Sequence, residues 1–91
     1  MSQGAYFYII QSEKHGRYYI GSCIEVNQRL ADHNRGNIYS TRNQGPWILR
    51  HSEYYPTLAE ARLRERQVKK WKSRKMIESI IESNKDKNKT L

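Results

Sequence analysis

Apolar and polar positions change their rhythm several times along this chain, and each change marks an element. Residues 5–11 (Ala5-Tyr6-Phe7-Tyr8-Ile9-Ile10-Gln11) are dense in aromatic and β-branched types and predict a strand. The polar run Ser12-Glu13-Lys14-His15-Gly16 ends on glycine and predicts a hairpin loop, with residues 17–22 as the returning antiparallel strand. From Ile24 to about Arg35 the period becomes helical: Val26, Leu30 and Ala31 share a side with Asn27 and Asn34. Gly36 is placed to stop that helix. Residues 37–45 have no period and predict an exposed loop that holds an arginine, a serine and a threonine. Residues 46–55 predict a third strand, ended by Pro56. Thr57-Leu58-Ala59-Glu60 has the form of a capping box, which opens a helix to about Trp71. Ser73 can cap a last helix, Arg74 to Glu82, with Met76, Ile77, Ile80 and Ile81 as its apolar side. The order β-β-α-β-α-α predicts an α+β fold: a small three-stranded antiparallel sheet flanked by helices, over residues 1–83. Residues 84–91 are expected to be a polar, disordered tail.

Size and charge narrow what such a domain can do. A chain of 91 residues makes one domain with a thin core, so its site should be an open, shallow patch that suits a polymer better than a metabolite. Seventeen Lys and Arg against nine Asp and Glu leave a net charge of +8, which attracts polyanions. Nucleic acid leads as the partner, ahead of an acidic membrane surface or an acidic protein. Cys23 is the sole cysteine, so no disulfide can form within the chain, unlike most small secreted domains. The apolar run Ala5 to Ile10 is too short for a signal-peptide core or a membrane span, and a cytoplasmic location is expected.

Three features ask for a reason beyond folding. Tyr6, Tyr8, Tyr18 and Tyr19 sit in strand interiors where Val or Ile would suffice, and a buried tyrosine hydroxyl needs a partner. Neighbours Tyr18 and Tyr19 must point to opposite faces, so one at most serves a given site. Arg29 and His33 are one helical turn apart, a phosphate-sized fork beside a group that can move a proton. Glu65 falls on the inward stripe of the second long helix with Leu58, Ala61 and Val68, in the middle of a basic run. Either it pairs locally with Arg62 or Lys69, or it is a ligand for a hard divalent cation.

These residues together resemble the signature of the GIY-YIG nucleases. Tyr6-Phe7-Tyr8 and Tyr19-Ile20-Gly21 look like its two halves, with Tyr6 and Phe7 standing where the family name has Gly and Ile. Arg29, His33 and Glu65 match the family's helix arginine, its histidine-or-tyrosine position and its metal-binding glutamate. The stretch from Pro46-Trp47 and the segment Lys69 to Ser73 are similar to the short stand-alone bacterial members. Ser22 and Cys23 follow the glycine where several members carry a lysine.

The resemblance implies a metal-dependent endonuclease that hydrolyses phosphodiester bonds, with DNA favoured over RNA and branched or damaged DNA, as in repair, as a natural target. One Mg²⁺ or Mn²⁺ would sit on Glu65, since the sequence offers no second inward carboxylate. Arg29 would neutralise the phosphate, Tyr19 would handle the attacking water, and Tyr8 with His33 would hold the hydrogen-bond network. Arg62, Arg66, Lys69 and Lys70 would meet successive phosphates without reading bases. Tyr8, Tyr19, Arg29, His33 and Glu65 are then expected on one face of the sheet, within about 10 Å of one another. The competing readings are a non-catalytic nucleic-acid-binding module on the same fold, a nuclease subunit that needs a partner for activity, and a docking subunit that uses Trp47 and Trp71.

Overall fold

The computed structural model describes residues 4–89. Its elements come in the expected order: β1 (Ala5–Ser12), β2 (Tyr18–Cys23), α1 (Val26–Arg35), a 3₁₀ turn (Tyr39–Thr41), β3 (Trp47–Tyr55), α2 (Leu58–Trp71) and α3 (Arg74–Lys89). The strands form one antiparallel sheet in the order β2-β1-β3. β1 takes the centre because both of its faces are apolar, as a strand covered on two sides requires. Phe7 and Ile9 point one way and pack with Ile20 of β2, Val68 of α2 and Ile81 of α3. Tyr8 and Ile10 point the other way and pack with Cys23, Trp47 and the α1 residues Val26 and Leu30. The alternation of strand side chains therefore divides the helices, α1 over one face and α2 with α3 over the other. Phe7 and Ile9 are fully buried, and each such side chain contributes roughly 1.5–3 kcal/mol.

The caps set the helix ends. Gly36 adopts φ 81° and gives its N–H to the Asp32 and His33 carbonyls, a conformation that glycine reaches without strain. The Thr57 hydroxyl accepts from the Glu60 N–H at 3.2 Å, as the capping box predicts. α1 starts two residues later than the periodicity suggests, because the Glu25 carboxylate accepts from the Asn27 N–H at 3.2 Å and caps it there.

Two expectations need correction. The loop over residues 37–45 is not simply exposed: it contains the 3₁₀ turn, and Thr41 is 1% exposed. The last helix does not stop at Glu82 but continues to Lys89, into the span expected as a disordered tail. Residues 83–89 hold no glycine or proline, so nothing breaks the helix. Residues 1–3, 90 and 91 lie outside the described residues.

α2 is pinned to β3 by a carboxylate. Glu53 accepts from the Arg64 Nε at 3.1 Å and Nη2 at 3.3 Å, from the Tyr55 hydroxyl at 2.6 Å, and lies 2.7 Å from the His51 Nε2. Burial pushes Glu53 up, but the hydrogen bonds from His51, Tyr55 and Arg64 outweigh it and hold the acid at about 2. The forked contact fixes the rotation of α2 about its axis, and thereby the direction of its next residue, Glu65. Among the described residues no helix is long and apolar enough to cross a membrane.

Candidate active site

Tyr8 stands opposite Gly21 in the β1–β2 register, and Ile10 stands opposite Tyr19. Gly21 leaves the space over β2 that the Tyr8 ring fills: a Cβ there would lie 2.6 Å from the Tyr8 hydroxyl. The tyrosine of one strand thus dictates the glycine of the next. Tyr8 and Tyr19 share the α1 face, with ring centroids 6.4 Å apart. His33, on the last turn of α1, comes down between them at 5.9 Å from Tyr8 and 4.9 Å from Tyr19. Arg29 lies one turn earlier, and its charge reaches Tyr8, Cys23 and His33 alike.

A directed hydrogen-bond chain joins these groups. The Thr41 hydroxyl donates to the Ile38 carbonyl at 3.4 Å, so it accepts from His33 Nδ1 at 2.7 Å. His33 then carries its proton on Nδ1, and its bare Nε2 accepts from the Tyr8 hydroxyl at 2.9 Å. Both partners are nearly closed to water, Tyr8 at 3% exposure and His33 at 2%. Burial first, then the neighbouring Arg29 charge, hold His33 down at about 4. Burial, then Tyr19 and Cys23, push the Tyr8 phenol well above its ordinary value. At neutral pH the pair is therefore a neutral phenol donating to a neutral imidazole.

This pair makes folding sensitive to acid. Unfolded His33 titrates near 6.5 and the folded residue near 4, so between these values the unfolded chain binds more protons. Stability is then expected to fall as pH drops from about 6.5 to 4, by roughly 3 kcal/mol, with Glu53 adding to the loss only below 4.5. Urea unfolding at pH 7, 5.5 and 4 measures it. His33→Gln should flatten that slope, and an unchanged slope in the variant would remove His33 as its source.

Glu65 reaches the group from elsewhere. Its carboxylate Oε1 accepts from the Ser22 hydroxyl at 2.6 Å, and Oε2 accepts from the Lys69 ammonium at 2.6 Å. Ser22 alternates with Cys23 along β2 and so faces the α2 side, away from the Tyr19 ring. The expectation of five residues on one face is corrected: Tyr8, Tyr19, Arg29 and His33 meet on the α1 face, and Glu65 comes over the other face of the edge strand. Its charge nonetheless acts on Tyr8, as the smallest of the influences on that phenol. The reason is the packing of α2, which follows Phe7, Ile9 and Ile20 rather than Tyr8.

One carboxylate, Glu65, is present at this site to meet a divalent ion. Among the described residues no three His, Cys, Asp or Glu side chains cluster to hold a metal. Glu65 does already hold a cation, the Lys69 ammonium, on an oxygen that a divalent ion could take with water and phosphate completing its shell. Of the two alternatives raised by the sequence, the structure shows the local ion pair, with Lys69 as the partner.

Arg62, Arg66, Lys69 and Lys70 are all exposed on α2. Lys69 is committed to Glu65, while Arg62, Arg66 and Lys70 have no acidic partner among the described residues. Sequence reasoning passed over two groups that matter here. Thr41 was placed in an exposed loop, and Ser22 was noted only as a substitute for a lysine. Strand alternation from Ile20 would have aimed the Ser22 hydroxyl at α2. Nothing in the irregular segment 37–45 marks Thr41 as the residue that sets the His33 tautomer.

Comparison with known proteins places the domain in a family. The family model described as the GIY-YIG catalytic domain matches residues 4–78. A UPF0213 protein of Halobacterium salinarum is 38% identical over 63 residues, covering 68% of this chain and 80% of that one. A UPF0213 protein of Streptococcus pneumoniae is 33% identical over 89 residues, covering 97% and 88%. The solution NMR structure of a UPF0213 protein from Bacillus halodurans superposes with a TM-score of 0.56 at 30% identity, covering 87% of this chain and 83% of that one.

Proposed function

This chain belongs to the GIY-YIG catalytic-domain family, and from that premise we propose that it is a divalent-metal-dependent endonuclease acting on DNA. The observation that supports this most is the neutral Tyr8–His33 pair set beside Tyr19 and Arg29, with the Glu65 charge acting on Tyr8 from across β2. A binding module needs cations for phosphates but has no use for a buried proton relay.

In this reaction Arg29 holds the scissile phosphate and offsets the charge that develops on it. The Tyr19 hydroxyl, which takes no hydrogen bond among the described residues, orients the attacking water. As the water oxygen bonds to phosphorus, its proton passes to the Tyr8 oxygen while the Tyr8 proton moves to His33 Nε2. The phosphorus–oxygen bond to the leaving strand breaks, and solvent protonates that oxygen. His33 ends as an imidazolium and no free phenolate forms at Tyr8. A single Mg²⁺ or Mn²⁺ held by Glu65 would supply further charge neutralisation on the phosphate. Arg62, Arg66 and Lys70 carry the flanking phosphates, which gives a steep salt dependence and little base preference.

The test is a panel of labelled linear and branched DNA and RNA with Mg²⁺ or Mn²⁺. Arg29→Ala is expected to lower cleavage by about 10²–10³-fold and to weaken binding several-fold, because Arg29 touches the phosphate in both states. If the purified wild type binds the panel and cuts none of it with either metal, the non-catalytic module or the partner-dependent subunit replaces this reading.

A further inference from the structure

Tyr39 opens the 3₁₀ turn and is 87% exposed, more than any other large apolar side chain among the described residues. Its ring gains almost nothing from burial, so the fold does not account for it. A lone exposed tyrosine is ordinary. This one differs in how it is held and in what surrounds it.

The turn beneath the ring is anchored on several sides. The Thr41 hydroxyl bonds His33 Nδ1 at 2.7 Å, and the Trp47 Nε1 donates to the Thr41 carbonyl at 3.3 Å. The Ser12 hydroxyl donates to the Gln44 carbonyl at 2.6 Å. Tyr39 is thus carried on a fixed support two residues from a direct contact with the candidate site. Arg42 covers one face of its ring, with the guanidinium carbon 5.7 Å from the ring centroid. The Arg42 Nε donates to the Gly36 carbonyl at 3.0 Å, which holds the cation in place. Its terminal nitrogens meet no acceptor among the described residues, and the second face of the Tyr39 ring is open. Gly36 also lines a cleft of about 550 Å³ whose walls include His33, Lys14 and Arg35 and no acid. The cleft is basic, and its wall residue Gly36 is the one that holds Arg42.

We propose that Tyr39 and Arg42 form a nucleotide subsite: an unpaired base stacks on the open face of Tyr39, and Arg42 takes the adjoining phosphate. Stacking needs a base whose own face is bare. Inside a duplex both faces of every base are covered by neighbours, so the subsite selects DNA with single-stranded nucleotides beside the phosphate at Arg29. The class of substrate follows: flaps, gaps and strand ends in preference to continuous duplex. This deepens the endonuclease reading and rests on it for the position of the cut.

The test separates stacking from cleavage by measuring binding in EDTA. Wild type, Tyr39→Phe, Tyr39→Trp and Tyr39→Ala are titrated with a single-stranded oligonucleotide containing 2-aminopurine and with a closed circular duplex. Tyr39→Ala is expected to weaken single-strand binding about tenfold and duplex binding less than twofold. Phe and Trp should keep the wild-type affinity and the quenching of 2-aminopurine, which the Ala variant loses. The proposal is overturned if Ala weakens both ligands equally, if it changes neither, or if Phe behaves like Ala and so implicates the hydroxyl. A flap substrate with Mn²⁺ completes the set. Cutting by wild type without the base-stacking pattern removes the subsite and leaves the nuclease. The binding pattern without cutting removes the nuclease and leaves the subsite.

Discussion

Glu65→Gln is expected to lower metal-dependent cleavage by at least about 10³-fold while nucleic-acid binding stays the same or tightens. The substitution keeps the shape of the side chain and an oxygen that can accept from Ser22, so the link to β2 survives. It removes the negative charge that a divalent cation needs, and it removes the repulsion that the carboxylate exerts on an incoming phosphate. It also releases Lys69, which adds one cation to a surface that already carries Arg62, Arg66 and Lys70. Stability should change by less than about 1 kcal/mol, because Lys69 is half exposed and such pairs contribute little. Melting curves, binding curves and cleavage assays on the same preparation read the three quantities. A variant that cuts at the wild-type rate would falsify the role of Glu65.

Gly21→Ala should be nearly as damaging, although no atom of Gly21 takes part in chemistry. The added methyl would lie 2.6 Å from the Tyr8 hydroxyl and 2.7 Å from Cζ, and Tyr8 is too buried to swing aside. Either the ring leaves His33 or β1 and β2 move apart. Both break the bond between the Tyr8 hydroxyl and Nε2 and admit water to the imidazole. Overpacking of this kind costs about 1–3 kcal/mol, and cleavage is expected to drop about 10²-fold or more. The diagnostic signal is His33 itself, whose NMR titration should rise from about 4 toward 6.5. Gly16→Ala provides the contrast: Gly16 has φ 72° in the hairpin, so it should lose about 1 kcal/mol and leave both cleavage and the His33 titration alone. If Gly21→Ala leaves His33 near 4 and cuts normally, the steric argument is wrong.

The order and type of every long element could be read from the sequence because local signals were strong. Thr57 and Glu60 announced α2, Gly36 closed α1, and the aromatic and β-branched run of residues 5–11 marked a strand. Tyr8, Tyr19, Arg29 and His33 could be placed together only through the resemblance to the GIY-YIG signature, because spacing within one element does not say which elements meet. Glu65 was legible as an inward acid, but not as one reaching over the opposite face, since that depends on which way α2 packs. The choice is made by contacts such as Val68 with Phe7 and Arg64 with Glu53, which are distant in sequence. Thr41 was illegible for a related reason. Its burial comes from a 3₁₀ turn wedged between α1 and β3, and segments without a period give no signal for such turns. The helical backbone of residues 83–89 was underestimated because polar composition alone does not end a helix.

Lys69 has its charge largely offset by Glu65, which weakens its pull on a phosphate. In the proposed reaction, a cation that takes the carboxylate frees this ammonium, and the freed ammonium then favours the polyanion. The two ligands are therefore coupled in part through this side chain. Thermodynamic reciprocity requires that whatever factor the metal adds to DNA affinity, DNA adds to metal affinity. Removing the amine by Lys69→Met should shrink that common factor, leaving the part that comes from direct attraction between metal and phosphate.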